Sequence, residues 1–244
     1  MSELIDYAMR VLPGLLLLTM LFILLPKKQL LLRIVVLILG FILLRDAMTP
    51  VGFWSFGVSL PAVWLRFTDD VLVLWMLGAM SLGAVGLLLA SKDLRKLVRW
   101  GKARSPGAYI VGIVTGVLVA LPFVATGLTV DISARGGSVA VALLPALLFM
   151  ALAGNLLEEL IFRGFYQSYL EKHMAGMRAV ITSGLTFAAA HVFLASTVTD
   201  LGWPILVFVT IEGLACAFVY RHYGLIAAAL THGIAIFVLA GGRV

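Results

Sequence analysis

The chain has 244 residues, of which 62% are hydrophobic and 12% charged, where a soluble globular chain carries about 25% charged residues. Mean hydropathy is +1.11, and no stretch between the apolar runs is long enough to form a soluble domain. The net charge of +6 and pI of 9.7 therefore point to a membrane surface, with no nucleic acid as partner.

From the N-terminus, about eight runs approach the roughly 20 residues that cross a bilayer as helix. The first, about 8–26, follows Glu3 and Asp6 and ends in Leu24-Leu25-Pro26-Lys27-Lys28. A secretory signal starts basic and ends in small residues, so this run reads as an uncleaved first helix. The second, about 29–47, carries Arg33 close enough to one end to snorkel to the interface. Residues 48–70 are aromatic and broken by Gly and Pro, which predicts an interfacial loop with an aromatic belt. The third run, about 71–91, leads into the basic loop 92–104, a topology determinant lying on anionic lipid. Runs at about 107–128, 138–168, 176–196, 203–221 and 224–241 complete the series.

The expected fold is all-α: a polytopic membrane helical bundle of about eight transmembrane helices. Most of the 18 Lys and Arg, including the basic loop, then share one side, and Arg10, Arg45, Arg66, Arg135 and Arg243 fall on the other. The positive-inside rule places both termini outside. Residues 1–105 hold three predicted helices with no ionisable group near mid-span, and read as a membrane scaffold. Residues 106–244 hold the other five helices and every polar anomaly. Cys216, the one cysteine, reads as a small packing residue. There is no Gly-rich phosphate loop, His-Glu-x-x-His helix, Gly-x-Ser-x-Gly elbow or internal repeat.

The chemistry concentrates in three places. Glu158-Glu159-Leu-Ile-Phe-Arg163 follows a long apolar run, and an ionised group in hydrocarbon costs at least about 2.5–3.5 kcal/mol without a partner or a task. Phe187-Ala-Ala-Ala-His191 and Thr231-His232-Gly233 place imidazoles inside two further apolar segments. Glu159 and Arg163 share a helix face and can pair. Glu158 is turned about 100° away, which frees it to face a cavity. Taken singly, the acidic run could be an interfacial ion pair and each histidine a packed core residue. Jointly they supply two carboxylates, two imidazoles and a guanidinium to one bundle, which points to a shared site. Glu158 with His191 could deprotonate a water, and His232 could stabilise the resulting oxyanion. That set needs no cofactor, although the same two His and one or two Glu could instead hold Zn²⁺ with an open position. Glu212, midway along the seventh run, lines the same cavity or stabilises a helix contact.

The order Glu-Glu-x-x-x-Arg, then Phe-x-x-x-His, then a histidine in the last helix resembles the CAAX-protease and bacteriocin-processing (CPBP, or Abi) family of intramembrane endopeptidases. The run from Phe208-Val-Thr-Ile-Glu-Gly213 through Tyr220-Arg-His-Tyr-Gly224 to Leu230-Thr-His232 is similar to that family's final helix pair. The resemblance covers about residues 138–240. It implies a bundle of about eight helices in a bacterial cell (inner) membrane, and a membrane-associated peptide or protein as substrate. It further implies that Glu158 and His191 activate water, Glu159 and Arg163 support them, and His232 serves the oxyanion. One position departs from the pattern. Four residues after its last His the family usually carries Asn or Asp, and here that residue is Ile236, which cannot donate a hydrogen bond. Asn155 is the single asparagine in the chain and lies a turn before Glu158. The alternative implied by Ile236 is a non-catalytic membrane adaptor or bacteriocin-immunity-type protein that binds a peptide or partner in the same cleft.

Overall fold

The computed structural model describes residues 2–101 and 106–242. Lys102 and Arg104 of the basic loop, and Arg243, lie outside them. The apolar helices among the described residues are α1 (Ser2–Leu24), α2 (Leu30–Asp46), α3 (Val71–Ala90), α4 (Pro106–Gly127), α5 (Leu144–Glu159), α6 (Gly176–Ala189), α7 (Trp203–Tyr223) and α8 (Leu225–Ala240). Among the described residues, six helical stretches are long and apolar enough to cross a membrane, fewer than the eight expected. The shortfall lies in α2 and α8, with 17 and 16 residues. At about 1.5 Å per residue, the latter reaches roughly 24 Å of a hydrocarbon layer about 30 Å thick. Its start is set by Gly224, whose φ of 87° breaks the chain between α7 and α8. Apolar composition runs on through such a break, so hydropathy alone overcounts full-length spans.

Small residues decide which helices meet. A Cβ added to Gly116 of α4 would lie 2.5 Å from the Thr231 carbonyl of α8, and one at Gly112 would lie 2.6 Å from the Ala227 carbonyl. The two backbones are therefore in direct contact, and Thr231 donates its hydroxyl across the seam to the Gly112 carbonyl at 3.2 Å. In the absence of a hydrophobic driving force within lipid, such close approach is what drives helix association. Helix α8 packs on α4, α5 and α7, α3 packs on α5, and α6 on α7. Helix α1 rests chiefly on α2 at the periphery.

Residues 48–70 are not a loop. They carry an antiparallel hairpin, β1 (Trp54–Ser59) and β2 (Ala62–Phe67), in register from Trp54–Phe67 to Ser59–Ala62. The alternation Trp54, Ser55, Phe56 is a strand period, and places both rings on one face. Arg66 anchors the hairpin from inside, donating to the Gly137 carbonyl at 2.9 Å and the Leu239 carbonyl at 3.3 Å. The next helix, α3, starts where Asp70 accepts from the Leu72 and Val73 amides at 2.8 and 3.2 Å.

Helix α5 does not run uniformly through 138–168. It is entered by a short 3-10 turn, is α-helical to Glu159, widens into π-helix over Leu160–Gln167, and closes with an α turn, Ser168–Glu171. A π segment re-phases the side chains that follow it, and such segments recur at functional sites.

Candidate active site

The acidic end of α5 enters the centre of the bundle. Glu158, Glu159, Arg163, His191, Glu212 and His232 are all buried, with Glu159 and Arg163 at 0% exposure. Glu159 and Arg163 form the expected i, i+4 pair, Nη1 to Oε1, at 3.1 Å. Arg163 Nη2 also donates to the Gly213 carbonyl at 2.9 Å, and its guanidinium lies 4.3 Å from the centre of the Phe187 ring. Gly213 allows this because a Cβ there would meet Phe187 at 2.8 Å. Arg163 is thus held on three sides, and it holds Glu159.

Glu159 in turn aims His232. Its Oε1 accepts from His232 Nδ1 at 2.9 Å, so the other ring nitrogen, Nε2, turns towards Glu212 Oε2 at 3.4 Å and Glu158 Oε2 at 3.9 Å. The Phe187 ring packs between the two imidazoles, its centre 4.6 Å from that of His191 and 5.5 Å from that of His232.

His191 owes its orientation to a defect in its helix. Beyond α6 the chain tightens, and the His191 amide bonds to the Ala188 carbonyl at 3.0 Å. The Phe187 carbonyl, which a regular α-helix would pair with that amide, instead accepts from His191 Nδ1 at 2.8 Å. A carbonyl can only accept, so Nδ1 carries the proton and in the neutral ring Nε2 presents its lone pair. That lone pair stands 3.8 Å from Glu158 Oε1. The Ala190 carbonyl is taken by Arg45 Nη2 at 2.9 Å.

Arg45 is the residue that sequence reasoning missed. It ends α2, in the part read as scaffold, and was expected at an outer helix end. It is instead buried, with its Nη1 4.0 Å from Glu158 Oε1 and its Nε 2.7 Å from Asp46 Oδ1. The available signal was the Arg45-Asp46 pair closing an apolar run, a neutralised pair suited to burial.

These groups border a cavity of about 320 Å³. Glu158, His191, His232, Glu212, Asn155 and Arg45 line its polar end, and Ile236 stands on the same wall. The rest is apolar. Tyr7 and Leu15 of α1, Leu77, Met80 and Ala84 of α3, and Trp54, Phe56 and Phe67 of the hairpin enclose it. The first hundred residues therefore supply much of the chamber wall.

A family model described as type II CAAX prenyl endopeptidase Rce1-like matches residues 140–238. This segment carries all five residues of the ordered motifs. It is similar to the CAAX-protease branch of the broader CPBP/Abi-like superfamily. No curated protein and no solved structure matches the chain. The match and the geometry agree on a CAAX/CPBP-like membrane fold with a buried Glu/His-rich cluster suited to catalysis or binding.

The donors closest to one another already have partners. Among the described residues, the trio whose ligand atoms all lie within 4.8 Å of one another is Glu159, Cys216 and His232, not the cavity-facing Glu158, His191 and His232. Glu159 is already engaged by the Arg163 guanidinium and by the His232 N–H, 3.1 and 2.9 Å away. A cation there would displace one charge and strip a proton from the imidazole nitrogen.

Proposed function

We propose that this protein is an intramembrane endopeptidase that cleaves a membrane-associated peptide or protein with water activated by Glu158 and His191. The observation that carries the reading is the 3.8 Å gap between Glu158 Oε1 and His191 Nε2. Both atoms are acceptors, and the gap is too long for a direct hydrogen bond. A water bridging the two at about 2.8 Å from each would donate a proton to either side, with its lone pairs turned outward. Glu158 takes one proton as the water oxygen bonds to the scissile carbonyl carbon. The C–N bond then breaks, and the proton passes from Glu158 to the departing amine. Glu159 and Arg163 act behind this step by fixing His232 and the end of α5. The apolar chamber would receive the flanking side chains or lipid-like portion of the substrate.

The second reading is a non-catalytic membrane adaptor or immunity-type protein that holds a peptide in the same cavity. Ile236 favours it, because it places a branched apolar side chain on the wall beside His232. One comparison separates the two. Cells carrying wild type or Glu158→Gln at equal protein level are examined by quantitative mass spectrometry of membrane proteins. The peptidase reading expects an uncut protein to accumulate with Glu158→Gln, since an amide cannot take a proton from water. Identical membrane proteomes and an intact cellular phenotype would leave the adaptor.

A further inference from the structure

We propose that Arg45 is a catalytic residue of this site, its Nη1 donating to the oxyanion in place of the polar side chain that position 236 lacks. The inference rests on the peptidase reading above. Arg45 lies outside the segment 140–238 that resembles the family, so nothing in that resemblance assigns it a role.

The need is plain from His232. Its Nδ1 is committed to Glu159 at 2.9 Å, and its Nε2 faces carboxylates at 3.4 and 3.9 Å. Both ring nitrogens already look at acceptors, which leaves His232 little donor capacity for a new anion. Ile236 has none. Arg45 has a donor to give. Two of its nitrogens are tied down, Nε by Asp46 Oδ1 at 2.7 Å and Nη2 by the Ala190 carbonyl at 2.9 Å. These two bonds fix the guanidinium plane and hence the direction of Nη1. Nη1 is buried with no hydrogen-bond partner among the described residues, and Arg45 lines the cavity. A buried N–H left without an acceptor is costly, and an anion bound at this end of the cavity would supply one.

The position suits an oxyanion. Nη1 and His191 Nε2 flank the same atom, Glu158 Oε1, at 4.0 and 3.8 Å. The carbonyl oxygen of a substrate is two bonds from the attacking water oxygen, so an atom held between Glu158 and His191 puts the developing charge within reach of Nη1. A guanidinium offers only donors, and a donor already held in place needs little reorganisation as the charge develops.

The test uses the full-length protein in lipid nanodiscs. Its substrate is a fluorogenic peptide spanning the cut site of the protein that accumulates with Glu158→Gln. Arg45→Gln should lower kcat by about 10²–10³ while leaving KM within about twofold, the mark of a contact made only in the transition state. Ile236→Asn should restore at least about tenfold of the lost rate in the Arg45→Gln background, since a purely structural defect gains nothing from a second donor. Should Arg45→Gln fail to accumulate, Arg45→Lys decides, because one ammonium cannot serve both the Ala190 carbonyl and the oxyanion. A kcat for Arg45→Gln or Arg45→Lys within about threefold of wild type overturns the inference while the peptidase reading stands. A wild type no faster than Glu158→Gln overturns both.

Discussion

Removing Arg163 tests the innermost contact of the site. Its side chain is fully buried, paired with Glu159 at 3.1 Å, bonded to the Gly213 carbonyl at 2.9 Å and stacked on Phe187. Arg163→Ala leaves the Glu159 carboxylate with His232 as its remaining close partner, and leaves the Gly213 carbonyl without its donor. Breaking a buried pair from one side costs about 3–5 kcal/mol, which is a factor of about 10²–10⁴ in the folded-to-unfolded ratio. Replacing both partners with apolar residues of similar volume, Glu159→Leu with Arg163→Met, removes the buried charge as well as the attraction and should recover most of that loss. The assay is thermal unfolding in detergent for wild type, Arg163→Ala and the double variant, with accumulation in membranes as a second readout. On the peptidase reading the double variant should be stable but inactive, because the end of α5 that carries Glu158 is no longer fixed. Arg163→Ala melting with wild type, at a cost below about 1 kcal/mol, would mean the pair behaves as if exposed.

The seam between α4 and α8 should be equally intolerant: Gly116→Val forces a side chain to within 2.5 Å of the Thr231 carbonyl and should abolish folded protein in detergent size-exclusion runs. Gly83→Ala, where an added Cβ meets nothing within 4 Å, should be neutral in the same assay. Trp54→Ala on the hairpin wall should raise KM more than it lowers kcat, because that ring faces the chamber rather than the reacting atoms; an unchanged KM would remove the hairpin from substrate binding. Incubation with a zinc chelator should leave cleavage intact, given the Arg163 cation already at Glu159; loss of activity restored by added Zn²⁺ would overturn the metal-free mechanism.

Much of this was legible in the chain itself. The shortage of charge and the spacing of apolar runs dictated helices in lipid, since backbone polar groups there must be satisfied within their own segment. The i, i+4 spacing dictated the Glu159–Arg163 pair and turned Glu158 away from it, a consequence of helical periodicity alone. Other features depend on contacts that no local rule encodes. The strands in 48–70 form because they pair with each other and dock on α4 and α8. The tightening at His191, which aims its ring, is matched by Arg45 reaching from α2 to the Ala190 carbonyl. Sequence could show that buried ionisable groups must find partners. Only the packing of α2 against the π-helical segment Leu160–Gln167 decided that Arg45 would be one of them, because partners 145 residues apart meet through the shape of the whole bundle and not through the period of any one helix.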